Sequence, residues 1–380
     1  MPKKILFCAS TFSHILHFHL PYIRYFQEKG YIVHVAAGGV LSKVPCAEKT
    51  FLLPFQKKMF SPVNFRQMFS LRTLMRQECY DIVSLHTSLA SFFARLAVLL
   101  QKKRPILTVN TVHGYLFDDR TPLLKRWILL MAEKLVKPVT DTLLVMNRAD
   151  YTIARKHCLC GEDSLYRIDG MGFDSSRFLP CNREEKNRLR ADFGYSESEF
   201  LLVYAAEFSS RKNQRFLIDA IKRLHENGCP LIRLLLLGNG KWLGREKNYA
   251  EQAGCSSYIR FAGYQDDTRS YYRISDVCVS SSRSEGLPFN IMEAMAAGLP
   301  VVASRVKGHV DLIQEGENGW LYELGKEDEF CSRIWELYKD RSACSRMGSV
   351  SQRLAAKYDI KKVLPQVVSI LESEYQKKNP

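Results

Sequence analysis

Short apolar, β-branched runs alternate along this chain with longer amphipathic segments. In the first half we predict buried strands over 4–9, 32–37, 82–86, 106–111 and 143–146, with helices over 20–29, 88–100 and 123–136. After a polar stretch over 174–198, strands follow over 200–205, 231–237, 259–261, 277–280 and 300–303, with helices over 214–227 and 290–297. This alternation predicts parallel βαβ units and an α/β fold. We expect two doubly wound, Rossmann-like domains, over 1–178 and 179–360, with a substrate cleft between their sheets.

The two ends of the chain and its cysteines carry weaker signals. The apolar run at 5–9 is shorter than a secretory signal needs, so we interpret it as the first buried strand. No run of eighteen apolar residues occurs, which argues against a spanning helix. The eleven cysteines are scattered, and Cys158 and Cys160 lack a second pair at zinc-ligand spacing. Reduced thiols in a cytoplasmic protein are therefore expected.

Positive charge is concentrated in the first half of the chain. The net charge is +15, and residues 1–180 carry 25 Lys and Arg against 13 Asp and Glu. The segment 50–77 contains five basic residues, five phenylalanines and no acid: Lys57, Lys58, Arg66, Arg72 and Arg76, with Phe51, Phe55, Phe60, Phe65 and Phe69. An anionic membrane surface suits this mixture best. Two other interpretations are a helix with one solvated and one buried face, and a surface that binds nucleic acid.

The segment 280–303 has the most specific chemistry. It reads as a strand, a Gly-Leu-Pro loop, a helix, a glycine stop and a second strand. Pro288 suits the first turn of the helix and Gly286 allows a ligand to approach the backbone closely. The amides at the helix start form an anion site suited to a pyrophosphate. We expect Glu285 and Glu293 to accept hydrogen bonds from sugar and ribose hydroxyls, because carboxylates there would repel phosphate.

Glu285-x7-Glu293, with the continuation Glu-Ala-Met-Ala-Ala-Gly-Leu-Pro-Val-Val-Ala, resembles the E-x7-E motif of the retaining glycosyltransferases of family 4, and of the bacterial capsular and exopolysaccharide enzymes among them. The resemblance covers nearly the whole chain and implies the two-domain GT-B fold. It implies that the C-terminal helix, 361–380, returns to the first domain. It also implies a donor site in the second domain, formed by Arg211, Lys212, Gly263, Gly286, Leu287, Pro288, Phe289, Asn290 and Glu293.

The stretch 200–213 resembles the strand and loop that bring an Arg and a Lys to the donor diphosphate. Lys212 matches the family lysine, whereas Glu207 stands where an arginine is common. Either Arg211 supplies the missing charge, or the diphosphate is held by fewer cations. Gly238-Asn239-Gly240 resembles the turn below the nucleotide. Gly263 lies in the stretch that resembles the loop meeting the base.

Four histidines follow predicted strands of the first half. The resemblance places His113, in Thr-Val-His-Gly-Tyr, near the donor sugar and the reacting centre. His14, His17 and His19 follow the first strand and either line the cleft or have structural roles. No Asp, Glu or Cys nearby in the sequence completes a metal site with them, and we expect no metal. The absence of glycine before Gly30 argues against a nicotinamide enzyme.

Together these features predict a retaining glycosyltransferase at the inner face of the membrane. It would move a hexose or N-acetylhexosamine from a nucleotide-sugar, with UDP favoured, to a lipid-linked or oligosaccharide acceptor in cell-surface glycan assembly. His113, Glu285 and Lys212 are the expected catalytic residues, and no cofactor is needed. An epimerase on the same scaffold and an inactive nucleotide-sugar-binding protein are the alternatives; a nucleic-acid binder rests on charge alone.

Overall fold

The computed structural model describes residues 2–56 and 58–379, and they form two compact units. The first unit comprises the residues up to Gly172 and those from Ile360 onward, and the second comprises Phe173–Asp359. Lys57, one of the basic residues singled out above, lies outside the described residues. All eleven cysteines are free thiols. Within the described chain, no helix combines the length and the apolarity that crossing a bilayer requires.

The first unit is built on one seven-stranded sheet with helices in the connections. Its strands are β1 (Lys4–Ala9), β2 (Ile32–Ala37), β3 (Lys49–Leu52), β4 (Ile82–His86), β5 (Leu107–Val112), β6 (Thr142–Val145) and β7 (Leu165–Arg167). Its connecting helices are α1 (Phe12–Phe18), α2 (Leu20–Glu28), α3 (Pro62–Glu78), α4 (Ser88–Leu99), α5 (Leu123–Val136) and α6 (Arg148–Lys156).

All seven strands of this sheet run parallel, in the order β3-β2-β1-β4-β5-β6-β7. The four strands with long apolar runs, β1, β2, β4 and β5, are buried along nearly their whole length, as expected for a sheet covered on both faces. The strand order reverses between β1 and β4. Chain segments that leave the carboxyl ends of these two strands therefore diverge, and a crevice for ligands opens there.

The second unit repeats this architecture. Its strands are β8 (Phe200–Ala205), β9 (Ile232–Leu237), β10 (Ile259–Gly263), β11 (Val277–Ser280), β12 (Val301–Ser304) and β13 (Gly319–Tyr322). Its helices are α7 (Arg183–Asp192), α8 (Gln214–Glu226), α9 (Leu243–Gln252), α10 (Arg269–Ile274), α11 (Phe289–Ala296), α12 (His309–Leu312), α13 (Glu327–Lys339) and α14 (Arg341–Ala355). The sheet is parallel, in the order β10-β9-β8-β11-β12-β13, and its reversal lies between β8 and β11.

The last helix, α15 (Ile360–Lys378), packs on the first unit. The hydroxyl of Tyr25 on α2 donates to Glu372 at 2.8 Å, and the hydroxyl of Tyr166 on β7 donates to Glu374 at 2.8 Å. Gly172 has φ +74°, and a Cβ there would lie 2.8 Å from the Cα of Ile360. A glycine is therefore required at position 172, where the backbone packs against the first residue of α15.

The predicted α/β class with two parallel, doubly wound sheets is confirmed, and the predicted strands fall within one or two residues of those observed. Among the elements that were not predicted are the edge strands β3, β7 and β13, the short helices α1 and α12, and the longer helices α13 and α14. Edge strands are paired on one side only, so their sequences lack the long apolar runs that identify the central strands. One of the three interpretations of the segment 50–77 was a helix with one solvated and one buried face. The structure has such a helix over 62–78, and its buried face consists of Asn64, Met68, Leu71 and Met75.

Candidate functional site

Two loops meet at the strand-order reversal of the second sheet. One follows β8 and carries Arg211 and Lys212, and the other follows β11 and carries Glu285. The hydroxyl of Ser281 donates to the carbonyls of Lys212 and Asn213, both at 2.9 Å, and the amide of Arg283 donates to the carbonyl of Arg211 at 2.8 Å. These bonds fix the backbone of the first loop against the second and set the direction of the Lys212 side chain.

Lys212 and Glu285 form the central ion pair of this site. Lys212 Nζ donates to Glu285 Oε1 at 2.5 Å, and Arg211 Nη1 donates to Glu285 Oε2 at 3.0 Å. The Lys212 and Glu285 side chains are 11% and 7% exposed, whereas Arg211 is 49% exposed. The structure therefore brings together three of the residues that the sequence analysis selected, with Glu285 as the counter-charge to the two cations.

The electrostatics of the pair follow from its burial. Burial disfavours the ionised form of Glu285, but the charges of Lys212 and Arg211 outweigh it and lower its pKa to about 2. Burial lowers the pKa of Lys212, and Glu285 opposes that shift. Glu285 is thus ionised at neutral pH. The site holds two positive charges and one fixed negative charge before any ligand arrives.

Gly308 shapes the loop that carries Glu285. It has φ +80°, and a Cβ there would lie 2.4 Å from the carbonyl oxygen of Gly286 and 3.3 Å from the Cβ of Glu285. The next residue, His309, is buried, and burial lowers its pKa to about 4 against the opposing effect of Glu285. His309 is therefore a neutral ring, and its Nδ1 lies 2.7 Å from the carbonyl oxygen of Ser304. Sequence reasoning did not select Gly308 or His309, because neither belongs to a local motif.

The loop Gly286-Leu287-Pro288 leads into α11, which begins at Phe289, one residue earlier than predicted. Pro288 is the N-cap residue and offers no side-chain hydrogen bond to the first turn. Asn290 lies in that first turn. The positive end of the helix dipole is thus presented next to the Glu285 loop, as an anion site requires.

Glu293, on the second turn of α11, has its own environment. The hydroxyl of Tyr272 donates to Glu293 Oε2 at 3.1 Å. Burial raises the pKa of Glu293 to about 7, although the Tyr272 hydrogen bond and the charge of Arg177 oppose the shift. Glu293 is therefore poised to change protonation near neutral pH, unlike Glu285. Tyr272 and Arg177 lie far from the motif in sequence and were not predicted as its partners.

Two glycines that follow β9 allow the backbone at the end of this strand to pack closely against the loop after β8. A Cβ on Gly238 would lie 2.2 Å from the carbonyl oxygen of Ala206, and one on Gly240 would lie 2.4 Å from that of Phe208. The Gly238 amide donates to the carbonyl of Gly263 at 2.7 Å. Gly263 has φ +69°, and a Cβ there would lie 3.8 Å from Asn239 Oδ1. Glu207, the departure from the family pattern, is exposed on the same loop.

In the first unit, histidines from three segments meet at the reversal between β1 and β4. His14 and His113 have ring centroids 4.6 Å apart, and His19 and His86 have centroids 3.8 Å apart. His113 Nε2 lies 3.3 Å from His86 Nδ1, and His86 Nε2 lies 3.0 Å from the Ser84 hydroxyl. His17 is exposed and its Nδ1 lies 2.6 Å from the Ser13 carbonyl oxygen. Thus His113 joins His14, His19 and His86, but not His17.

The burial of this histidine cluster keeps its rings neutral. Burial lowers the pKa of His14 to about 4, with a smaller contribution from the charge of His17. The pKa values of His19, His86 and His113 are lowered well below the usual value, chiefly by burial and additionally by repulsion from the neighbouring histidines, His14 among them. A neutral imidazole donates one hydrogen bond through its N–H and accepts one at its other nitrogen, which can instead bind a metal.

The first unit also carries an exposed apolar surface. On α5 the side chains of Leu123, Leu124, Trp127, Ile128 and Leu135 are exposed, and so are Phe60, Phe65 and Phe69 in and before α3. Phe51 and Phe55 instead pack against the core. The helix over 123–136 was predicted only as a connection between strands; its exposed face was not foreseen, since an apolar stripe in a sequence does not reveal what covers it.

Comparison with known proteins gives two matching families. Residues 185–353 match the family described as glycosyl transferases group 1, and residues 4–147 match the family described as glycosyl transferase 4-like. The chain is 35% identical to the Bacillus subtilis protein named as glycosyltransferase EpsD, over 97% of this chain and 96% of that one. It is 25% identical to an Escherichia coli UDP-Gal:alpha-D-GlcNAc-diphosphoundecaprenol alpha-1,3-galactosyltransferase, over 77% of this chain and 76% of that one.

A solved structure supports the fold. Anabaena HepE, crystallised with UDP and glucose, superposes with a TM-score of 0.79 at 19% identity, covering 98% of this chain and all of that one. The expected GT-B fold is thereby confirmed. The chain carries the E-x7-E motif and is 35% identical to the Bacillus subtilis relative over 97% of its length. It therefore belongs to the group 1 glycosyltransferases, the retaining enzymes of glycosyltransferase family 4.

Proposed function

We propose that this enzyme transfers a hexose or N-acetylhexosamine from a UDP-sugar to a lipid-linked sugar acceptor during cell-surface polysaccharide assembly. The observation that carries the donor side of this proposal is the Lys212–Arg211–Glu285 cluster beside the start of α11. Two cations and the positive end of a helix dipole are the groups that would hold a diphosphate. HepE, of the same fold, was crystallised with UDP, and this supports the choice of nucleotide.

Each donor-site residue has a proposed part. Lys212 and Arg211 would bind the diphosphate, and the segment over 286–290 would add the helix-start amides. Glu285 lies between the two cations. When the phosphate binds Lys212 and Arg211, one carboxylate oxygen of Glu285 would become free to accept a hydrogen bond from a sugar hydroxyl. Glu293 would accept hydrogen bonds from the ribose, and Gly263 would leave room for the base. His113 would lie near the donor sugar.

The reaction proposed for this site needs no protein nucleophile. The glycosidic bond breaks first and leaves an oxocarbenium-like sugar, whose positive charge the departing diphosphate partly balances. The acceptor hydroxyl then attacks from the face that the diphosphate leaves, and the leaving phosphate takes its proton. The anomeric configuration is thus retained. Stabilisation of the developing diphosphate charge by Lys212 and Arg211 lowers the barrier.

For the acceptor we propose a sugar on a polyprenyl diphosphate, presented at the cytoplasmic face of an anionic membrane. The printed name of the Escherichia coli relative describes such an acceptor. The exposed apolar face of α5 lies among the basic residues Lys125, Arg126 and Lys134, and Phe65 and Phe69 share a face of α3 with Arg72 and Arg76. Apolar groups ringed by cations suit insertion at the headgroup level of anionic lipids.

Product analysis tests this proposal. The purified enzyme is incubated with a polyprenyl-diphosphate-linked N-acetylhexosamine and with each of several UDP- and GDP-sugars, and the products are analysed by mass spectrometry and NMR. We expect one UDP-sugar to yield a disaccharide lipid whose new linkage keeps the donor's anomeric configuration. Transfer only from GDP-sugars, or only to water-soluble acceptors, would contradict the proposed donor or acceptor, respectively.

A further inference from the structure

Three histidines of the first unit converge on one point. His14 lies on α1, His19 joins α1 to α2, and His113 follows β5. Each offers a ring nitrogen, and these three nitrogen atoms all lie within 4.8 Å of one another. The sequence analysis found no ligand near His14 and His19 to complete a metal site. In the structure the third ligand is His113, which lies almost a hundred residues further along the chain. It comes close because only β4 separates β5 from β1 in the sheet.

The polar atoms of this cluster are not satisfied. Three ring nitrogens have no hydrogen-bond partner among the residues that the structure describes: Nδ1 and Nε2 of His19, and Nε2 of His14. His19 is fully buried. A buried polar group without a hydrogen bond is energetically unfavourable, so these nitrogen atoms suit a partner that the described residues do not supply.

The chemistry of the three ligands indicates which partner fits. Imidazole nitrogens bind zinc, cobalt, nickel and copper ions, whereas magnesium and calcium ions prefer oxygen ligands. Three neutral imidazoles with a fourth position left open form a common arrangement around zinc. Burial keeps all three rings in the neutral form that binds metal.

The surroundings of the cluster support ligation as well. His86 Nδ1 lies 3.3 Å from His113 Nε2, and the Ser84 hydroxyl lies 3.0 Å from His86 Nε2. The ring of His86 is stacked on that of Phe7. Hydrogen-bond chains of this kind fix the orientation of ligating histidines in metal sites. His113 is thereby held with its ring turned toward His14 and His19.

We propose that His14, His19 and His113 form a binding site for one divalent transition-metal ion of the zinc class. Binding itself does not depend on the function proposed above. One consequence does rest on it: His113 is the residue proposed to lie near the donor sugar, so an ion that occupies its ring nitrogen should slow sugar transfer. The transfer reaction proposed above assigns no step to this ion.

Cobalt(II) is the probe for this site, because its visible absorption reports coordination number and ligand type. The full chain without an affinity tag is stripped with a chelator and titrated with Co²⁺, and then with Zn²⁺ as competitor. The variants are His14→Gln, His113→Gln and, as the matched control, His17→Ala, which lies on the same helix but outside the cluster. Thermal unfolding checks that each variant is folded.

We expect the wild type and His17→Ala to bind one Co²⁺ per chain with the same affinity and with the intense visible bands of a low-coordinate nitrogen site. His14→Gln and His113→Gln should bind at least about 10-fold more weakly. Three results would overturn the proposal: no binding by the wild type, equal loss in His17→Ala, or a sulfur-to-metal charge-transfer band that assigns the ion to a cysteine. Calorimetry of UDP binding to the metal-free protein reports separately on the proposed function.

Discussion

The carboxylate of Glu285 accepts a hydrogen bond from Lys212 Nζ at 2.5 Å in a site where both side chains are almost buried. The first glutamate of the motif is thus already engaged with the lysine that the donor diphosphate is proposed to bind. Donor binding must then redistribute one cation between two anions. The three charges are held together by the strand-order reversal between β8 and β11, so the fold itself creates the site.

Loss of Lys212 should slow sugar transfer strongly. Lys212→Ala removes the buried cation, and we expect turnover to fall at least about 100-fold. The matched control is Lys222→Ala on α8, whose lysine is half exposed and lies 3.9 Å from Glu226. That variant should keep turnover within about 2-fold, because exposed pairs contribute little. Steady-state rates with the identified donor provide the measurement.

The same substitution should also destabilise the second unit, and a double variant separates this effect from function. Lys212→Ala leaves Glu285 buried with only the half-exposed Arg211, at a cost of about 3 kcal/mol in unfolding free energy. Lys212→Met combined with Glu285→Gln removes both charges and should recover most of that stability but no activity. Urea denaturation measures the free energies, and a double variant as unstable as Lys212→Ala would contradict the account.

Acid should remove the stabilisation that Glu285 provides. Its pKa in the folded protein is about 2, below the ordinary glutamate value of 4.5. The unfolded chain therefore binds a proton more readily, so the contribution is fully present above pH 4.5 and disappears as the pH falls toward 2. Glu285→Gln should lose stability at neutral pH and show a flatter dependence over that range. Equal slopes in the two proteins, measured by urea denaturation, would refute the shifted pKa.

Glu293 should make donor affinity depend on pH near neutrality. Its pKa is raised to about 7, and ribose hydroxyls bond more strongly to the ionised form. Affinity for a UDP-sugar should therefore rise as the pH increases through 7. A UDP-sugar is the suitable probe, because its doubly esterified diphosphate does not titrate in this range. Glu293→Gln should bind more weakly at high pH and show little pH dependence by calorimetry.

Substitution of Gly308 tests the conformation of the Glu285 loop, and Gly316, which has the same φ, provides the control. Gly308 and Gly316 both have φ +80°, but a Cβ at 308 would lie 2.4 Å from the carbonyl oxygen of Gly286, whereas none of the described atoms lies near one at 316. Each Ala substitution costs about 1–2 kcal/mol for the positive φ alone. Only Gly308→Ala should displace the loop and weaken UDP binding; equal binding by both variants would show that the contact is dispensable.

Membrane contact is tested through the exposed face of α5. Leu124→Glu combined with Trp127→Glu should reduce sedimentation with anionic vesicles, because both side chains are exposed and apolar. Trp335→Glu, on α13 of the second unit, changes a tryptophan of similar exposure and should have no effect. Neutralising Lys57, Lys58, Arg66, Arg72 and Arg76 should weaken binding to anionic vesicles. Unchanged sedimentation in both sets would count against docking.

The sequence predicted the central strands and the donor motif, because both are local patterns. Fully buried parallel strands have continuous apolar runs, and Glu285-x7-Glu293 lies within a single strand-loop-helix unit. Pairings between distant segments could not be predicted in the same way. Gly308 against Gly286, Tyr272 on Glu293, and His113 beside His14 depend on the order of strands in the sheets, which one sequence does not state.

Calorimetric binding of UDP, GDP, ADP and NAD to the wild type, Lys212→Ala and Lys222→Ala tests the central claim, that Lys212 and Glu285 mark a nucleotide-sugar donor site. The account predicts that UDP binds the wild type and Lys222→Ala alike, that it binds Lys212→Ala at least about 10-fold more weakly, and that NAD does not bind. Equal UDP binding by Lys212→Ala and the wild type, or binding of NAD alone, would contradict it.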